Sequence, residues 1–225
     1  LLVVFPVGFD EKFIVRALVR KREDHDGLGR GDKLIAVVPE GYEKEQKTVN
    51  AINSIKSIAS PIVGEENFLI LEVPTNNEDI ILKIKKAIEK NLTTDRTIIA
   101  VLSGGMRPLI VATLLAIIGI KDTRTRVESD FENLSGYISV ELGPFLAPYN
   151  RRWVKILCGL LEGKSIRAVA KELGVSPATI TNELKEITKY HLVKPEQPNM
   201  RTPKYLVTPA GKTYLKIMES DCVET

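Results

Sequence analysis

The chain has 225 residues, 44% of them hydrophobic and 27% charged, which excludes a disordered polymer and leaves enough apolar surface for a packed core. Its longest apolar stretch, residues 109–120, is well short of the roughly 20 residues that cross a bilayer. The net charge of +3 divides unevenly, with 13 Lys and Arg against 8 Asp and Glu in residues 151–225 and 19 against 21 before them. A basic tail end on a slightly acidic front favours a polyanionic partner for the former.

The chain begins LLVVFPVGFD, without the basic region or small-residue cleavage site of a signal peptide, and a cytoplasmic protein is expected. Four continuous apolar runs, residues 1–7, 34–39, 67–73 and 97–103, suit strands buried on both faces of a parallel sheet. Helical periodicity fills the gaps, in residues 10–22, 42–59 and 77–91. Four βα units in succession are the sequence form of a doubly wound α/β domain. RTRVESD and GYISVEL, separated by FENLS, add an antiparallel hairpin at the sheet edge.

Such a sheet raises the question of a nicotinamide cofactor, and the residues argue against it. Pro6-Val7-Gly8-Phe9-Asp10-Glu11 follows the first strand with one glycine, where a dinucleotide fingerprint needs G-x-G-x-x-G. GLGRGD at residues 27–32 precedes a strand instead of opening a helix and reads as a loop. No cofactor is expected. Ligands of open parallel sheets bind beyond the strand C-termini where strand order reverses. If strand one neighbours strand four, loops 8–11 and 103–108 meet there. Ser103-Gly104-Gly105-Met106-Arg107-Pro108 then forms either a tight turn with a solvated arginine or an anion site, built from backbone N–H groups, a helix N-terminus and a guanidinium fork. Gly8 and Phe9 would supply close approach and a stacking face.

The helix after this loop is apolar all round, Thr113 being its one polar residue between Leu109 and Ile118, and must be covered on every side. A second copy is expected over the face that the sheet leaves free, with Leu114 and Ile117 on that flank and two SGGMRP loops sharing one symmetric ligand.

LGPFLAP, residues 142–148, breaks the pattern. The expected organisation is a ligand domain over 1–143, a linker over 144–149 and a DNA-binding domain over 150–225. In the last part three helical patterns, a hairpin and a closing helix follow in order. Ala170, Gly174 and Ile180 have helix-turn-helix spacing, and Leu184 takes an apolar role one place after Glu183. Ser176 suits an N-cap, and Ala178, Thr179, Thr181, Asn182 and Lys185 face outward as small, hydrogen-bonding or basic groups suited to a major groove. Residues 192–194 and 204–208 bracket a Pro-rich tip that contains Arg201, a winged hairpin whose Arg201 and Lys204 are expected to meet DNA. Winged helices also dock proteins, but the basic balance favours double-stranded DNA. Cys158 and Cys222 read as reduced thiols, and His25 and His191 lie too far apart to share a metal; no metal site is expected.

With PVGFDEK after strand one, SGGMRP after strand four and the winged helix behind, the chain resembles the archaeal CRISPR-associated transcriptional regulators that join a CARF (CRISPR-associated Rossmann fold) domain to a winged helix-turn-helix. The resemblance implies a homodimer in antiviral defence whose CARF domains bind a cyclic oligoadenylate, cyclic tetra-adenylate for choice, while the winged helices regulate CRISPR-associated genes. It assigns the ligand to Gly8, Phe9, Ser103, Gly104, Gly105, Met106 and Arg107, and no catalytic residue. The runner-up is an enzyme that cleaves such a ligand; His25, in the loop before strand two, lies away from the expected crevice and offers no general base there.

Overall fold

The computed structural model describes residues 1–22, 26–75, 79–196 and 204–223. The chain divides into two units, Leu1–Val140 and Glu141–Thr225. No helix among the described residues is long and apolar enough to cross a membrane.

The first unit alternates strands and helices: β1 (Leu2–Pro6), α1 (Lys12–Leu18), β2 (Lys33–Pro39), α2 (Gln46–Val63), β3 (Phe68–Val73), α3 (Asp79–Asn91), β4 (Thr97–Val101), α4 (Arg107–Ile118), β5 (Arg124–Asp130) and β6 (Tyr137–Glu141). The sheet order is β3-β2-β1-β4-β5-β6, and the pairs β3/β2, β2/β1, β1/β4 and β4/β5 are parallel. β6 follows β5 through a connection too short for a crossover, so the edge pair is a hairpin. Side chains alternate between the two faces. Val3, Phe5, Leu34, Ala36, Val38, Phe68, Ile99 and Val101 join Ile14, Ala17, Leu18, Ile52, Ile55 and Ala59 of α1 and α2 in one core. The intervening Leu2, Val4, Ile35, Val37, Ile98 and Ala100 are as deeply buried, and α3 and α4 pack on that side of β1 and β2. A strand covered on both faces has no use for polar side chains, which is why the runs of β1, β2 and β4 are continuous. The run of β3 departs from the expectation: it is an edge strand, with Leu69 exposed and residues 70–72 half-buried.

The second unit holds α5 (Gly143–Leu146), α6 (Arg151–Leu161), α7 (Ile166–Leu173), α8 (Pro177–Lys189), β7 (Val193–Pro195), β8 (Tyr205–Val207) and α9 (Pro209–Ile217). The segment expected as a linker thus opens with a short helix, α5, packed near α9. Helix starts obey local chemistry. Asn150, Ser165, Ser176 and Thr208 each accept a backbone N–H of the first turn, and proline sits at the start of α8 and α9. Gly174 ends α7 at φ 66°, a left-handed cap that suits glycine. β7 and β8 pair antiparallel. Trp153, Ile156, Leu157, Val169, Ala170, Ile180, Leu184, Ile187, Leu192 and Leu215 form the core. Within it, the buried Tyr214 hydroxyl of α9 donates to the Pro148 carbonyl at 2.9 Å and accepts the Asn150 N–H at 3.3 Å.

The cysteines correct the expectation of reduced thiols. Cys158 on α6 and Cys222 beyond α9 form a disulfide, their Cα atoms 5.7 Å apart. They stand 64 positions apart in sequence, so only the return of the chain after α9 brings the two together.

Candidate functional site

β1 and β4 are neighbours, with β2 and β5 on their outer sides. Strand order therefore reverses between them, and loops 8–11 and 103–107 face each other beyond the strand ends. Their glycines make this apposition possible. A Cβ on Gly8 would strike the Gly104 carbonyl oxygen, and one on Gly105 would lie 2.8 Å from the Pro6 carbonyl oxygen. Gly104 adopts φ +72°, in the left-handed region. All three residues thus serve loop-to-loop packing, whatever else they bind.

Of the other expected ligand residues, two are exposed, one is half-buried and one is buried. Phe9 is 56% exposed, and Lys47 Nζ stands 5.9 Å from its ring centroid, within cation–π range. Arg107 is exposed at the first position of α4 and makes no side-chain hydrogen bond or ion pair among the described residues. Met106 is half-buried at the N-cap. Ser103 is buried, and its Oγ accepts the Asp130 N–H at 2.7 Å and donates toward Asp130 Oδ2 at 3.4 Å. Its side chain anchors the loop to β5, leaving backbone as its offering to a ligand.

Behind Ser103 lies a buried charge network that motif reading missed. Arg20 donates to Asp130 Oδ1 at 2.6 Å and Glu128 Oε2 at 2.8 Å, and its guanidinium stacks 3.6 Å from the Tyr137 ring centroid. Arg22 forks onto both Glu128 oxygens at 2.7 and 2.8 Å. Burial works to raise the Glu128 pKa, but the hydrogen bonds and charges of Arg22 and Arg20 outweigh it and hold the carboxyl below its ordinary value. Burial likewise opposes the Arg20 charge, and Asp130 and Glu128 more than restore it. The arginines flanking Lys21 and the alternating acids of β5 carry no motif, so only the fold joins them. The glycine-rich stretch at 27–32 lies before β2, where the Gly29 N–H donates to Asp32 Oδ2 at 2.8 Å. It is a turn, as its position implied. His25 lies outside the described residues.

On α4 the expected flank needs a correction. Ile117 is 1% exposed and Leu114 half-buried, whereas Val111 (57%), Leu115 (47%) and Ile118 (41%) form the open stripe. A helix apolar all round has no moment to say which side faces the sheet. Phe131, Tyr137 and Ile138 of the edge hairpin are exposed as well.

In the second unit, Ser176, Ala178, Asn182 and Lys185 are exposed and Thr179 and Thr181 half-buried, as a recognition helix requires. Two of these groups also serve the helix itself. Ser176 Oγ accepts the Thr179 N–H at 3.1 Å, and Thr181 Oγ1 donates to the Pro177 carbonyl at 3.0 Å. Leu184 is fully buried, while Glu183 accepts from Arg152 of α6 at 2.8 Å, which accounts for a carboxylate at an apolar position of the motif. On the hairpin, Lys204 lies 3.4 Å from Glu196 and remains 70% exposed. Arg201 lies outside the described residues.

Residues 1–141 match the family model of the Csa3 CRISPR-associated Rossmann-like domain, and residues 146–186 match that of a helix-turn-helix domain. The chain belongs to the Csa3 family of CRISPR-associated Rossmann-like domains. Its make-up is that domain followed by a helix-turn-helix. No curated protein matches. Among solved structures, protein VC1899 from Vibrio cholerae is similar at 9% identity and a TM-score of 0.41, over 95% of this chain and 64% of that one. The chain thus spans less than two thirds of that protein.

Proposed function

We propose that this member of the Csa3 family is a ligand-responsive transcriptional regulator of CRISPR-associated genes: a homodimer that senses a cyclic oligoadenylate, cyclic tetra-adenylate for choice, and binds DNA through its winged helices. The observation that carries the reading is the pair of glycine-apposed loops at the strand-order reversal. There Arg107, exposed at a helix N-terminus, and the exposed Phe9 stand open. A cyclic oligoadenylate offers what these groups favour, phosphates for the guanidinium and N–H groups and purine faces for the ring. The apolar stripe Val111-Leu115-Ile118 supports pairing of two copies, and a twofold pair would present two Arg107 residues to a symmetric ring.

Thermal melting with cyclic tetra-adenylate tests this directly. Ligand at 100 times its dissociation constant adds about 2.7 kcal/mol, a shift of roughly 5 to 10 °C for a domain of this size, and Arg107→Ala removes most of it. A full shift in that variant would place the site elsewhere. Linear product accumulating in the same incubation would turn the reading toward a ligand-cleaving enzyme. For a regulator, saturating ligand changes operator affinity about 5- to 150-fold, and operator DNA changes ligand affinity by the same factor.

A further inference from the structure

We infer that Cys158 and Cys222 form a thiol-exchangeable disulfide, a redox modification site that staples the tail beyond α9 to α6 and makes the stability of the C-terminal domain, but not of the N-terminal one, follow the thiol redox state. Three observations carry this. The cysteines, 64 positions apart, close a loop that contains α7, α8, the β7/β8 hairpin and α9, nearly the whole helix-turn-helix domain. A long loop is where a cross-link removes most freedom from the unfolded chain. The sulfurs are also reachable: both cysteines are half-buried and line a surface cleft of about 440 Å³ rimmed by Lys155, Lys164 and Glu172. A disulfide sealed in a core cannot meet an external thiol, whereas this one can be approached. Finally, Ser220 Oγ stands 3.2 Å from each sulfur, placed to donate a hydrogen bond to whichever thiolate is released.

The chemistry balances through two exchanges with a low-molecular-weight disulfide. One cysteine thiolate attacks the small disulfide, forming a mixed disulfide and expelling one small thiolate. The second cysteine thiolate then attacks the protein sulfur of that mixed disulfide and expels the other. Two protein thiols are oxidised, one small disulfide is reduced to two thiols, and the reverse sequence opens the staple.

The sole tryptophan, Trp153, sits in the C-terminal core, so its fluorescence reads the unfolding of that domain alone. The full chain is equilibrated in glutathione buffers from fully oxidised to fully reduced, protein thiols are counted by alkylation and mass, and melting is followed at Trp153 and by calorimetry. The expected result is zero alkylated thiols at the oxidised end and two at the reduced end. The Trp153 transition falls with reduction by on the order of 10 °C or more, while the N-terminal transition stays fixed. Cys222→Ser, outside the helical core, melts like the reduced chain in every buffer. Cys158→Ser, on α6, repeats that result unless it perturbs packing, in which case Cys222→Ser alone decides. Two free thiols in the oxidised buffer, a disulfide that native protein does not exchange, or a Trp153 transition indifferent to the thiol count would each overturn the proposal.

Discussion

The two domains handle charge in opposite ways. Beside the N-terminal crevice, Arg20, Arg22, Glu128 and Asp130 are sealed off, each side chain at most 7% exposed, and the one hydroxyl of the SGG loop is tied into the same network. On the C-terminal domain the groups suited to a ligand, Asn182, Lys185 and Lys204, stand in solvent. Buried charges are matched by neighbours and fix a shape, whereas exposed ones stay free for a partner. Charge near the crevice thus keeps loop 103–107 in place for Arg107 and the backbone, while charge on α8 and the wing stands open to the DNA proposed above.

Removing one partner from the buried side should break the contrast most sharply. Arg20→Ala leaves two carboxylates with a lost partner, and about 3 to 5 kcal/mol of N-terminal stability should go with it. The calorimetric transition of that domain would collapse while Trp153 fluorescence reports an unchanged C-terminal melt. A parallel loss at Trp153 would mean that the two units do not unfold independently. Acid probes the same network without mutation. Because Glu128 is held ionised below the ordinary carboxylate range, its contribution is whole above about pH 4.3 and drains away as the pH falls through its lowered folded-state value. Arg22→Ala should weaken that acid dependence, measured as N-terminal melting against pH.

Next in size is the apolar stripe. Leu115→Glu, on its open face, should dissociate the proposed homodimer while circular dichroism and melting of the monomer stay intact, with mass read by sedimentation. Ile117→Glu instead buries a carboxylate against the core and should unfold the domain. Equal behaviour of the two variants would remove the assignment of faces.

On the exposed side effects are smaller and concern binding. Asn182→Ala should cost about 1 to 3 kcal/mol with operator DNA and relax specificity, whereas Lys204→Ala should weaken all duplexes alike and lower the salt slope by about one. Both belong at one fixed salt concentration, since phosphate contacts dominate the affinity. Smallest is the partly exposed pair Arg152–Glu183, where Arg152→Ala should change the Trp153 melt by about 0 to 1 kcal/mol.

Much of the fold was legible because buried parallel strands write themselves as uninterrupted apolar runs, and helix caps such as Ser176-Pro177 are local. The crevice loops were legible for the same reason, since glycines at strand ends fall where the topology puts them. What escaped is whatever depends on distant partners. Ser103 carries no sign that its hydroxyl belongs to Asp130. Lys47 meets Phe9 only because the fold brings the start of α2 to the loop after β1, and Cys158 finds Cys222 only after three further helices and a hairpin. The flank of α4 escaped for a different reason: with apolar residues all round, its sequence holds no direction.

Tyr214 bears on where the second domain can be cut. Its hydroxyl on α9 satisfies both Pro148 and Asn150 at the entrance to α6, while Leu215 and Leu192 complete the core that α6, α7 and α8 begin. The stretch recognised as a helix-turn-helix ends at residue 186, before Leu192, Tyr214 and Leu215. The segment that defines the motif is therefore shorter than the segment that can stand alone. A fragment trimmed to the motif would expose half a core and strand two backbone groups at its first helix, so an autonomous DNA-binding piece has to run through α9.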